Sequence, residues 1–233
     1  MEGLALREIV MDTETTGLDC RNGDRLVEIA CVEVANYIPT GRVWHQYINP
    51  ERDMPAEAFA VHGLSTQFLS TKPLFSTLAQ EFLAFVNGAK LVFHNASFDI
   101  GFINMELERL GHTAWPWENV IDTLALARRK HPGAPSSLDA LCKRYGIDNS
   151  SRSLHGALLD AQLLAEVYLQ LAGGHQPGFD LSLAAASAAR TQASGAILVR
   201  PEPLPANLIE AEVIAHNAFI DGLGEGAIWR LYQ

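Results

Sequence analysis

The chain has few cysteines and few cations, and it has no long apolar run. Its three cysteines, Cys20, Cys31 and Cys142, are an odd number, lie far apart and form no CxxC pair. A disulfide framework and a zinc ribbon are therefore not indicated, and a reducing cytoplasm is the simplest setting. Only 17 Lys and Arg stand against 27 Asp and Glu, for a formal net charge of −10. That balance argues against a protein that holds nucleic acid by clustered cations alone. It suits a site made of carboxylates and divalent ions, in which the metals supply the positive charge. No stretch approaches the roughly 18–20 apolar residues that cross a bilayer, so no membrane partner is expected. Residues Met1 to Asp12 interrupt their apolar residues with Glu2, Arg7 and Glu8, which is unlike a signal-peptide core. No internal repeat is visible.

With 48% hydrophobic and 19% charged residues, the 233-residue chain has enough apolar material for a sizeable core. Glu8–Met11 reads as a core strand whose C-terminal end carries Asp12 and Glu14, broken by Thr15-Thr16-Gly17. Leu26–Ala35 and Val43–Ile48 read as strands joined across Asn36–Arg42, where Pro39 and Gly41 suggest a hairpin. Leu74–Val86 has helical spacing, with Leu74, Leu78, Phe82 and Phe85 on one face. Lys90–Phe93 reads as a buried strand leading to a helix over Phe98–Leu110. Three more helices are expected over Ile121–Arg129, Ser137–Tyr145 and Ala157–Leu171. Strands first, then strands alternating with helices, imply an α/β layer structure with a mixed central sheet flanked by helices.

Beyond residue 173 the composition changes. Residues 182–196 are mostly Ala, Ser and Thr, and Pro201–Pro205 alternates proline with Glu and Leu. We read a domain over 1–173, a flexible linker over 174–205 and a tail helix within 206–233, at Leu208–Leu223.

Three stretches carry chemistry. Asp12 and Glu14, at i and i+2 on a strand, project to one face. Two like charges at a buried strand end need a cation between them unless they are simply solvated, and a hard divalent ion is a natural partner for their oxygens. Asp99 follows the run Val92–Phe93 in the first turn of a helix. There it either complements the helix dipole, with Ser97 as a possible cap, or joins the first pair. Asp160 lies near the start of the apolar helix after His155-Gly156. Five residues on a regular helix separate side chains by about 140°, so His155 meets Asp160 only from the loop ahead of the helix. Four acids and a loop histidine are the parts of two-metal phosphodiester hydrolysis, in which the histidine takes a proton from the attacking water.

The motifs Asp12-Thr13-Glu14-Thr15-Thr16-Gly17, His94-Asn95-Ala96-Ser97-Phe98-Asp99 and His155-x4-Asp160 resemble the DEDDh exonuclease superfamily, in that order over residues 7–172. Within it, the stretches Glu57–Gly63, Ile121–Arg128 and Ser137–Tyr168 are similar to the proofreading subunits of bacterial replicative DNA polymerases. The resemblance implies an RNase H-like fold and 3′→5′ release of nucleoside monophosphates from DNA ends. It also implies two divalent ions, Mg²⁺ or Mn²⁺, on Asp12, Glu14 and Asp160, with Asp99 completing the site. His155 would be the general base. Phe59–Leu64 resembles a loop that holds the terminal nucleotide, and Glu57 and His62 match nucleotide-touching positions. The tail would tether the domain to the polymerase catalytic subunit. Gln176–Leu181, with Gln first and apolar residues fourth and sixth, stands where a sliding-clamp motif is expected, and a small accessory subunit is a further partner of such proteins. Two rival readings are an RNA-trimming member of the superfamily and a scaffold without catalysis.

Overall fold

The computed structural model describes residues 7–150, 152, 154–173 and 209–223. The chain divides into two units, Met1–Gly178 and Phe179–Gln233. The first is built on five strands: β1 (Arg7–Thr15), β2 (Leu26–Ala35), β3 (Ile38–Tyr47), β4 (Lys90–Phe93) and β5 (Val120–Asp122). Their spatial order is β3-β2-β1-β4-β5. The first three pair antiparallel, whereas β1–β4 and β4–β5 are parallel, so the sheet is mixed as expected.

Alternation along β1 sorts its side chains between two cores. Ile9 and Met11 join Ile29, Cys31, Leu91 and Phe93 beneath α3 (Phe75–Val86) and α4 (Ala96–Arg109). Val10 joins Ala30, Val32 and Val92 on the opposite face. That face is covered by α5 (Thr123–Lys130), α6 (Leu138–Tyr145) and α7 (Ala157–Ala172). The even-numbered positions of β1 thus run from Val10 in the core to Asp12 and Glu14 at the strand's end, on the α7 side. Between β1 and β4 the chain order in the sheet reverses. The C-terminal ends of those two parallel strands form the crevice where α/β sheets place their ligands.

Several expectations change in detail. The hairpin between β2 and β3 is tight, because Asn36 and Tyr37 both take positive φ, 50° and 67°. Positive φ at both central residues gives a turn whose twist matches the strands. Pro39 and Gly41 consequently lie inside β3. An edge strand accommodates Pro39, and the register shifts between Val32 and Val34 opposite. Residues 120–122 are strand rather than helix, pairing with Leu91–Phe93. The Asp122 carboxylate then caps α5 by accepting from the Leu124 N–H at 2.9 Å. Residues 59–62, expected as loop, belong to α1 (Ala56–His62), which precedes the short α2 (Thr66–Leu69). Only His62 of α1 is buried, so no amphipathic period announces that helix. Ser97 is not a cap. Asn95, in the left-handed region at φ 69°, precedes α4, and its N–H donates to Asp122.

In the second unit, α8 (Glu210–Gly222) lies within the expected Leu208–Leu223, and the Glu212 carboxylate accepts from the Ile209 N–H at 3.0 Å. The linker at 174–205, the Gln176–Leu181 segment and the terminal Trp229–Tyr232 lie outside the described residues. Among the described residues, no helix is long and apolar enough to cross a membrane.

Candidate active site

All four acids and His155 line one groove, together with His94, Asn95, Arg128, Asp139 and Arg152. Asp12 and Glu14 reach it from β1, Asp99 from the first turn of α4, and Asp160 from the first turn of α7. Gly156, in extended conformation at φ −154°, precedes α7 and leaves His155 in the loop ahead of it. The histidine's Nδ1 then lies 3.4 Å from an Asp160 carboxylate oxygen, which is the convergence the spacing requires. Ligand atoms of Glu14, His155 and Asp160 all fall within 4.8 Å of one another.

These carboxyls are crowded and poorly solvated. Burial pushes Glu14 up to about 8, helped by the neighbouring Glu28, Asp160 and Asp99 charges. Burial, followed by the Asp99, Glu14 and Asp160 charges, pushes Asp12 well above the ordinary carboxylate range. Burial likewise raises Asp99 to about 7, although a hydrogen bond from the Thr13 hydroxyl opposes the shift. Asp99 accepts that bond at 2.7 Å, so odd-numbered Thr13 reaches α4 on one side of the sheet while Asp12 and Glu14 face α7 on the other. Each raised value has the same origin: negative charge is gathered where water does not relieve it. A hard divalent cation would relieve it, and this oxygen-rich donor set suits one.

The second set of expected residues lies beside the first. Glu57 and His62 line a cavity of about 560 Å³ with Glu14, Thr15, Thr16, Gly17, Leu18, Val61 and Phe98. Glu57 is exposed there. His62 is buried, and its Nδ1 accepts from the Leu64 N–H at 3.0 Å. The His155 N–H donates to the Val61 carbonyl at 3.2 Å, which joins the cavity wall to the loop that carries His155.

Three residues of the site escaped the sequence reading. Thr13 holds Asp99. Arg152, from the polar stretch Asn149–Ser153, grips both oxygens of Asp160, at 2.6 and 2.8 Å, and also touches Asp139 and His155. Asp139, which caps no helix, anchors that arginine. All three stand inside stretches that the resemblance covers, but nothing in their pattern marked them as part of the site.

Residues 9–168 match the family model described as Exonuclease, RNase_T, and the chain belongs to that family. Within it the sequence groups with DNA polymerase III epsilon subunits. It is 49% identical to that of Rickettsia prowazekii over 228 residues, covering 93% of this chain and 96% of the relative. It is 43% identical to that of Escherichia coli over 240 residues, covering 96% and 97%. The fold is similar to the nuclease domain of 3′hExo, a DEDDh family member bound to rAMP. The TM-score is 0.63 and the identity 15%, over 74% of this chain and 94% of that one.

Proposed function

We propose that this chain is the proofreading 3′→5′ exonuclease of a bacterial replicative polymerase, removing nucleotides from DNA 3′ ends by metal-dependent hydrolysis. The observation that carries the reading is the convergence of Glu14, His155 and Asp160 within 4.8 Å. That cluster adjoins a nucleotide-sized cavity walled by Glu57 and His62. Asp12, Glu14 and Asp160 would hold two divalent ions, with Asp99 completing the site directly or through water. Those ions, Mg²⁺ or Mn²⁺, supply the charge that stabilises the attacking hydroxide and the departing 3′ oxygen of an in-line displacement. His155 stands in the loop, half-exposed, and takes the proton of the attacking water. Glu57 and His62 would supply polar contacts to the terminal nucleotide, while Val61 and Phe98 offer apolar ones.

The acidity of the chain is answered by tethering, since a high effective concentration at the primer end replaces intrinsic DNA affinity. In this reading residues 1–173 are the exonuclease, 174–205 a linker and 206–233 the segment that binds the polymerase III catalytic (alpha) subunit. Helix α8 supports it: Ile214 and Phe219 are 63% and 64% exposed, and Val213 and Leu223 are also open, so an apolar surface is available to a partner's groove. Gln176–Leu181 is proposed to touch the sliding clamp and a small accessory subunit to join the assembly, all in the cytoplasm.

The test is release of nucleotides from a 3′-labelled primer with a terminal mismatch, in Mg²⁺ and in chelator, for wild type and Asp12→Ala. Metal-dependent release that is faster on the mismatch and lost in the variant is the expected result. Release from an RNA oligonucleotide alone would establish an RNA trimmer, and release from neither a scaffold.

A further inference from the structure

Arg152 makes an unusual set of contacts for a residue beside a cation site. Its Nε and Nη2 donate to the two carboxylate oxygens of Asp160 at 2.6 and 2.8 Å, a two-pronged hold on a side chain only 3% exposed. Its Nη1 donates to Asp139 at 2.8 Å, and Nη2 also approaches the His155 Nδ1 at 2.8 Å. A guanidinium only donates, so Nδ1 is the acceptor and its lone pair is engaged. The arginine itself is largely buried, 11% exposed, whereas Asp139 is 59% exposed.

We propose that Arg152 is a built-in competitor of the divalent ion: it holds Asp160 and His155 until an ion takes Asp160, and then withdraws onto Asp139. This rests on the metal-dependent reading of the same site. Both oxygens of Asp160 accept from the fork, and a guanidinium bonded to them blocks the approach of an ion to Asp160. Two cations cannot share that volume, because repulsion at such a distance in a poorly solvated groove is severe. The exchange leaves no bare charge. The ion replaces the arginine's charge at Asp160, and the exposed Asp139 keeps the arginine paired near solvent. It also releases Nδ1 of His155, so arrival of the ion and readiness of the histidine become one event. Without an ion, the hold keeps Asp160 and His155 in register with Glu14.

The test is titration of the full chain with Mn²⁺ alone, without DNA, by calorimetry, for wild type, Arg152→Gln and Arg152→Lys. Thermal melting in chelator is measured alongside. Apparent affinity is divided by the fraction of molecules whose site is free to bind, so both variants are expected to bind Mn²⁺ roughly tenfold more tightly. Both should also melt at lower temperature than wild type in chelator. Lysine keeps the charge but loses the fork, so tightening in Arg152→Gln alone would reduce the effect to net charge and overturn the proposal. Unchanged or weaker binding in both variants, with wild type binding normally, would overturn it too while leaving the metal site standing. A wild type that binds no Mn²⁺ would instead remove the metal-dependent reading on which it rests.

Discussion

The Thr13 hydroxyl donates to the Asp99 carboxylate at 2.7 Å, tying the C-terminal end of the acid-bearing strand to the first turn of α4. Thr13 points away from Asp12 and Glu14, yet it orients the fourth acid of their site. Supporting hydrogen bonds of this kind are worth about 10–100-fold in metal affinity or activity. Thr13→Val keeps the volume and deletes the donor. Its turnover is expected to fall by that factor with the fold intact, measured as steady-state nucleotide release at saturating Mn²⁺. A variant as fast as wild type would remove Thr13 from the machinery.

Asp12 and Glu14 share a strand face, and both carboxyls are raised by the company they keep. Asp12→Asn and Glu14→Gln preserve shape and remove charge. Each is expected to lower kcat about 10²–10³-fold, as loss of one electrostatic contact to a developing charge does. Single-turnover release from a mismatched primer measures it, and a loss confined to KM would reassign the residue to substrate binding.

Stability should depend on pH in a defined direction. Glu14 sits near 8 in the folded protein against an ordinary 4.5, so the folded state binds its proton more tightly than the unfolded chain does. Below the ordinary value both states are protonated and the burial costs nothing. As pH rises toward 8 the folded state bears a growing penalty, so stability falls across that window. In chelator, the melting temperature should therefore decline from about pH 5 to pH 8, and Glu14→Gln should flatten the decline. Adding Mg²⁺ at the upper end should restore the loss. A Glu14→Gln profile parallel to wild type would refute this origin.

Gly17 closes the acid-bearing strand against Asp24. A Cβ at Gly17 would stand 2.3 Å from an Asp24 carboxylate oxygen. Asp24 cannot simply step aside, because it accepts from the Thr16 hydroxyl and the Asp19 N–H and pairs with Arg52 at 2.9 Å. Gly17→Ala should cost about 1–3 kcal/mol, the range for forcing extra volume into packed surroundings. Urea unfolding measures it. Because Gly17 lines the nucleotide-sized cavity, KM for the primer should rise as well.

The legible parts of this molecule were those with a period or a motif. The alternation of β1, the exact span of β2 and the apolar face of α3 come from patterns that burial imposes on sequence. So does the pairing of Asp12 with Glu14. Helix geometry said only that His155 could meet Asp160 from the loop, and the resemblance, not the spacing, supplied the reason to expect it. What was missed has no period. Helix α1 buries only His62, β5 is three residues long, and the β2–β3 turn depends on positive φ at Asn36 and Tyr37, which their identities merely permit. Arg152 and Thr13 act through partners distant in sequence or across a loop. A contact of that kind becomes visible only when the chain has been folded around it.

The position of Asp160 on α7, packed over β1 and β2, has a consequence for the order of events during synthesis. The donors at residues 12, 14 and 99 leave the ribosome long before the last one is made. A nascent chain that ends before α7 has no Asp160 and lacks one of the three helices that cover that face of its sheet. The four acids therefore come together only when nearly all of the first unit has been made.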